Sequence, residues 1–368
     1  GVDGRFDAAQ LIAFADALGQ GEAMSDALAN AIAADLDADR QRLVRHLAAV
    51  DGLQATGDSR ADARHLANAL FNTMRGGVFL DDGRIRIADF ARFLRETAPA
   101  VASRCDVSGW ADMSSRRDLV ARAEASGDAD LERLAREYLP LTWSRRHGDP
   151  SRPWNLFALD THHADGSPRL RYEGNWRDIF QNWEALLHAF PAYAEAAVVK
   201  FVNASTRDGF NPYRVSREGF DWERPDPSDP WAHIGYWGDH QIVYLQRLID
   251  VCERHEPRAL SQLLRRRMFV FADVPYRIAN HDQILADPHE TITFDVARDA
   301  AIRAAAKELG NEARLTPSAE GARQSPLRAS LAEKLLVPIL AKLGQFIPGL
   351  GIWMNTQRPE WNDANNAL

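Results

Sequence analysis

The spacing of apolar residues constrains this chain more than any other feature. From Asp62 to Met74, Trp176 to Phe190, Phe294 to Leu309 and Ser330 to Leu343, apolar side chains recur every three or four residues. That is the period of an amphipathic helix. The same pattern covers Ala8–Leu18, Ser25–Asp35, Asp39–Val50, Ile87–Glu96, Ser115–Ser126, Ala129–Tyr138, Tyr193–Asn203, Gly238–Arg254 and Pro257–Arg267. Credible strands are few, so the expected fold class is all-α. Ser25, Asp39 and Asp62 stand where N-caps would. Arg75-Gly76-Gly77 reads as a stop, and Asp81-Asp82-Gly83 as a turn joining short strands.

The leading helices occupy roughly 1–140, and after Leu141 the texture changes. Thr142 to Asn155 mixes prolines, charges and aromatics without a helical period, which suits an ordered functional loop. Asp208 to Ile234 is a second such loop, rich in Pro, Trp and Asp. A helix pair followed by a long polar-aromatic loop is thus the recurring unit of 141–368. Successive helical hairpins bury their apolar faces on one another by stacking or by closing into a ring. In a ring, the long loops line a shared cavity. The charged stretch 308–328 is expected to be an insertion.

Composition narrows the function classes. Lys and Arg number 44 against 52 Asp and Glu, a net charge of −8, which argues against a nucleic-acid or anionic-membrane partner. The longest apolar run, Leu335 to Ile347, is broken by Pro338, Lys342 and Gln345, too short for a bilayer span. Cys105 and Cys252 make neither a disulfide scaffold nor a four-thiolate zinc site, and favour a reducing, cytoplasmic setting. Asp35-Leu36-Asp37-Ala38-Asp39 opens like a calcium loop, but Arg40 takes the required glycine position, so it reads as a helix junction. His162-His163 has no third ligand. No metal or cofactor is expected.

Tryptophan occurs 10 times against 7 tyrosines. Trp143, Trp154, Trp176, Trp183, Trp222, Trp231, Trp237, Trp353 and Trp361 all lie in or beside the irregular segments. Flat rings among carboxylates, amides and arginines suit a sugar, whose C–H faces pack on indole while its hydroxyls take hydrogen bonds. The competing account is that large aromatics plug loop bases. Three stretches are sharper. In Asn175 to Trp183, a helix would put Trp176, Phe180 and Trp183 on one stripe, with Arg177/Gln181 and Asp178/Asn182 four apart beside it; a solvated face is the alternative. In Tyr236-Trp237-Gly238-Asp239-His240-Gln241, Asp239 is a helix cap, a ligand or both, and His240 is a hydrogen-bonding partner. In Gln357-Arg358-Pro359-Glu360-Trp361-Asn362-Asp363, two carboxylates bracket a Trp and an Asn. Glycosidic cleavage requires a carboxylic acid to protonate the departing oxygen and a second group on the opposite face.

Trp361-Asn362-Asp363 resembles the Asp-Trp-Asn-Asp signature of the cellobiose and chitobiose phosphorylases and related cyclic β-glucan enzymes. Trp176-Arg177-Asp178 is similar to that family's aromatic-Arg-Asp motif, and Gly238-Asp239-His240 to its Asp-Asp helix start. The matches come in the family's order and cover about a quarter of the chain. The resemblance implies a six-hairpin (α/α)6 toroid, the architecture also of glycogen debranching, amylo-1,6-glucosidase-type proteins. It implies Asp363 as general acid, with Glu360 as the neighbouring carboxylate. Arg177 and Asp178 become sugar ligands, with Trp176, Gln181, Asp239, His240, Trp237, Trp361, Asn362 and Arg358 around them. Glu360 replaces the first Asp of the signature, and Gln357-Arg358-Pro359 replaces its glycines.

The function expected is that of a carbohydrate-active enzyme cleaving an oligo- or polysaccharide with inversion, by hydrolysis. The alternatives are an inverting phosphorylase using inorganic phosphate and a non-catalytic glycan-binding toroid. Because the chain begins at Gly1 and stops soon after Asp363, we expect a segment of a longer toroid, incomplete at both ends. Apolar helix faces would then be left exposed.

Overall fold

The computed structural model describes residues 12–13, 16, 22–49, 51–74, 78–142, 163–165, 167, 169–209, 211–212, 214–222, 224–228, 236–237, 241–287, 292–318, 325–344, 346–347, 349 and 352–353. The described chain is mostly helical, of the all-α class. Helix α1 spans Glu22–Ala49 and α2 Ser59–Met74. The expected break at Asp35–Asp39 does not exist: one helix of 28 residues runs through it. Ser25 and Asp39 are therefore interior positions rather than caps, and Asp39 pairs with Arg42 one turn on. Asp62 is not a cap either. Asp58 accepts from the Arg60 and Ala61 amides at 3.0 and 3.2 Å, while Asp62 takes the Thr56 hydroxyl at 2.7 Å.

Helices α3 (Ile87–Thr97), α4 (Pro99–Arg104), α5 (Arg116–Ala125) and α6 (Ala129–Glu137) follow. α3 buries Ile87, Phe90, Phe93, Leu94 and Thr97, the stripe its spacing announced. With Leu119, Leu134 and Tyr138, the four apolar members of that stripe belong to the smaller of two cores. Asp81-Asp82-Gly83 does turn the chain between two short strands, with positive φ at all three residues. Those strands do not pair with each other: Val78–Phe79 pairs with Leu141–Thr142, and Ile85–Arg86 with Met113–Ser114.

The larger core is built on α7 (Trp176–Ala189), α8 (Ala194–Asn203) and α9 (Gln241–His255). A tight 3-10 turn over Pro191–Tyr193 joins α7 to α8. Every residue of α8 is buried, which marks it as a central helix packed on all sides. α9 lies against both. α10 (Ala259–Leu263), α11 (His281–Ala286), α12 (Val296–Leu309) and α13 (Leu331–Gly344) complete the described helices. Asp295 caps α12 at the Arg298 amide, and Ser330 and Glu333 cap α13 reciprocally. α13 leaves Leu336, Ile339, Leu340 and Leu343 between 47% and 62% exposed.

Charged side chains join the two cores. Arg136 of α6 donates to Glu195 of α8 at 2.5 Å and to Glu132 at 2.8 Å, and Arg116 approaches Glu195 at 3.4 Å. Arg133 makes a forked bond to Glu312 at 2.7 and 2.9 Å, which ties the start of the 308–328 stretch to α6. Burial pushes the Glu195 carboxyl up, but Arg116 and Arg136 outweigh it and hold the group below its ordinary value.

Candidate functional site

The strand Glu173–Asn175 runs directly into α7. It pairs antiparallel with Arg214–Ser216, setting Asn175 opposite Arg214. The strand Asn211–Pro212 pairs with Tyr236–Trp237, setting Asn211 opposite Trp237. Residue 213 alone separates the two middle strands, so one short segment ties the start of α7 to the chain entering α9. These two- and three-residue ladders are too short for a period of two, which is why the sequence showed no strands here.

Side-chain pairs fix the helix directions. Glu184 of α7 meets Arg247 of α9 at 2.8 Å, and His188 meets His255 at 3.4 Å. The two contacts follow in the same order along both helices, so α7 and α9 run parallel and begin at one pole. α8, antiparallel to them, ends at that pole. Consistently, burial and then the Glu195 carboxylate in the first turn of α8 push the thiol of Cys252, late in α9, up to about 12. Helix beginnings carry partial positive charge from unpaired amides, so the pole has two such ends side by side.

The sequence-derived candidates fall on this frame unevenly. Trp176, Arg177, Asp178 and Gln181 occupy the first two turns of α7, and Trp237 the strand opposite Asn211. Asp239, His240, Arg358, Glu360, Trp361, Asn362 and Asp363 lie outside the described residues. Two tryptophans grouped with the sugar-binding set belong to the interior instead. Trp183 is 1% exposed against Tyr172, and Trp222 donates its indole N–H to Asp299 at 2.9 Å beneath Arg314. Trp183 packs from the middle of α7 into the larger core, and Trp222 anchors its own segment on Asp299.

Buried groups brace the pole from below. Lys200 of α8 donates to the Arg217 carbonyl at 3.0 Å and lies 5.4 Å from the Tyr172 ring centre. Asn203, the last residue of α8, donates to Glu137 and accepts from the Val270 amide. Lys334 of α13 donates to the Ser205 and Val270 carbonyls at 2.9 and 2.7 Å. Burial lowers both lysine pKa values. Gly209 abuts Val337, Pro338 and Ala341 of α13, where an added Cβ would come within 2.7 Å of Ala341 Cβ. α13 therefore finishes close to the loop that leaves α8. Beyond it, Trp353 pairs back onto Phe346, two residues past the helix end.

Sequence reasoning missed Asn211. It is 0% exposed, and among the described residues neither its amide nitrogen nor its amide oxygen has a hydrogen-bond partner. A buried amide left without partners costs about 1–3 kcal/mol, and in a folded protein it asks for an explanation. The only signal was its membership of the loop Asp208 to Ile234. Among the described residues, no group of three or more His, Cys, Asp or Glu is arranged to hold a metal ion. No described helix is long and apolar enough to cross a membrane. The chain matches no protein-family model and no curated protein.

Proposed function

We propose that this chain is the helical toroid of a carbohydrate-active enzyme that cleaves a glycosidic bond of an oligo- or polysaccharide with inversion. One observation supports it above the others: α7 and α9 begin at one pole, their entries laddered to the single segment 211–216. Two motifs separated by some sixty residues in the sequence thereby approach one another, as a sugar site shared between hairpins of an (α/α)6 ring requires. Arg177 and Asp178 would grip the sugar hydroxyls, Trp176 and Trp237 its apolar faces, and Asn211 would spend its unpaired amide on the substrate.

Asp363 is proposed as the general acid. It stands ten residues beyond Trp353, a reach of up to about 34 Å of extended chain. It would protonate the departing glycosidic oxygen while water attacks the opposite face of the sugar. Such an acid must stay protonated near neutral pH, which burial or the nearby Glu360 carboxylate would achieve. Water is preferred to phosphate as the acceptor because the signature's glycines are absent. The cysteines, with Cys252 buried, fit a reducing, cytoplasmic setting.

Turnover of Asp363→Asn decides the assignment. Lost product release with retained sugar binding supports catalysis, and an unchanged rate removes Asp363 as the acid. Product release that requires inorganic phosphate would turn the hydrolase into a phosphorylase. Sugar binding without turnover by the unaltered protein would leave a glycan-binding toroid.

A further inference from the structure

A cavity of about 390 Å³ opens beside the loop that leaves α8, within the usual range of small-molecule sites. Its floor is a three-segment ladder: Thr206 bridges Ala272, Ala272 bridges Leu315, and the Asp273 amide donates to the Arg314 carbonyl at 2.7 Å. Arg207, Asp208, Asp273, Tyr276, Arg277 and Thr316 line it. Asp208 precedes Asn211 by three residues, which bounds the separation of their backbones to about 10 Å. The cavity therefore adjoins the pole at which α7 and α9 begin.

Its chemistry is specific in one respect. Two guanidinium groups and two carboxylates give the lining no net charge, which disfavours an inorganic anion and equally a cation. Arg207 and Asp208 are exposed, and among the described residues their side chains meet no hydrogen-bond or ion-pair partner, which leaves both available to a ligand. One guanidinium nitrogen of Arg277 donates to the Val274 and Tyr276 carbonyls, while the other lies 3.8 Å from Asp273 and 3.9 Å from Asp295, beyond a close ion pair, and keeps its donors for a ligand. Asp273 is held by Arg298. Paired arginines and carboxylates together donate to and accept from adjacent hydroxyls, and Tyr276 adds an aromatic edge to the wall. A neutral polyol satisfies all of them at once.

We propose that this cavity is a distal saccharide subsite, taking a further glycosyl unit of an oligosaccharide whose scissile bond lies at the pole. The proposal rests on the carbohydrate function above. It makes the enzyme favour chains over disaccharides.

The test uses full-length protein and cello-, chito-, laminari- and malto-oligosaccharides of two to five units, with turnover and calorimetric binding measured for each. Arg207→Ala and Arg277→Ala should raise KM for the longer members of the accepted series by roughly tenfold or more, the worth of a charge-assisted hydrogen bond. The disaccharide's kcat/KM should not change. If Arg277→Ala destabilises the fold, Arg207→Ala, a surface change, decides alone. Turnover whose length dependence ignores both variants overturns the subsite and spares the enzyme. Length-dependent binding lost in the variants, but without turnover, keeps the subsite and overturns the enzyme. Binding of no sugar overturns both. Inorganic phosphate binding that disappears in both variants, with no effect of chain length, overturns the subsite in favour of an anion site.

Discussion

His188 of α7 and His255 of α9 face each other across 3.4 Å, each near the C-terminal end of its helix. Two imidazoles at this distance cannot both be charged cheaply. Burial first, and then His255 and Arg254, lower the pKa of His188; burial also leads in lowering that of His255, with Asp51 opposing. In the unfolded chain each titrates near 6.5. The unfolded state therefore binds more protons just below that pH, and stability is lost as pH falls from about 6.5 through the lowered folded values. Denaturant midpoints measured from pH 7.5 to pH 5 should drop, and His255→Gln should flatten the drop. An equal slope in the variant would remove the pair as its source.

Glu195 neutralises Arg116 and Arg136 at the junction of the two cores. Glu195→Ala would leave two buried guanidinium groups undercompensated, a loss of about 3–5 kcal/mol. Chemical unfolding should show a lower midpoint. Because the folded Glu195 pKa lies below its unfolded value, its contribution is present above about pH 4.5 and lost as pH falls through the folded value. The variant should accordingly lose part of the wild-type acid sensitivity.

Gly209 has φ +83, and a Cβ there would meet Ala341 Cβ at 2.7 Å and the Val337 carbonyl at 2.9 Å. Gly209→Ala combines left-handed backbone strain with overpacking, about 2–4 kcal/mol together. Thermal unfolding should show the loss, and limited proteolysis should cut first around α13. A wild-type melting temperature would mean that α13 moves aside without cost.

Asn211 offers a test in which stability and activity part company. Asn211→Leu replaces a buried, unpartnered amide with an apolar side chain of similar length, so stability should rise by about 1–2 kcal/mol. Under the proposed function, kcat/KM for the accepted saccharide should fall. A gain in stability with unchanged kinetics would make Asn211 a structural defect rather than a ligand.

The beginning of α7 at Trp176, the buried stripe of α3 and the start of α13 after Ser330 were all legible in the sequence, because each rests on contacts three or four residues apart. Capping was legible only in part. Asp58 and Asp62 are both acidic and both precede apolar residues, so the chain alone cannot say which one meets the free amides. The same limit hid the continuity of α1, whose run of aspartates resembles a junction until the helix is seen to pass through it.

The candidate pole was legible as letters and not as a place. Trp176-Arg177-Asp178 and Trp237 are conspicuous by residue type, yet nothing local says that one segment, 211–216, would ladder to both. Nor does local pattern separate Trp222, buried on Asp299, from a tryptophan free to stack on a sugar.

By itself the sequence determined the helical class and most helix positions, since helix formation is written in a repeat of 3.6 residues. Tertiary structure alone decided that α7 and α9 run parallel, that Arg136 finds Glu195 fifty-nine residues away, and that Asn211 is buried without a partner. Those outcomes depend on which distant surfaces exclude water together, and no window of neighbouring residues contains that information.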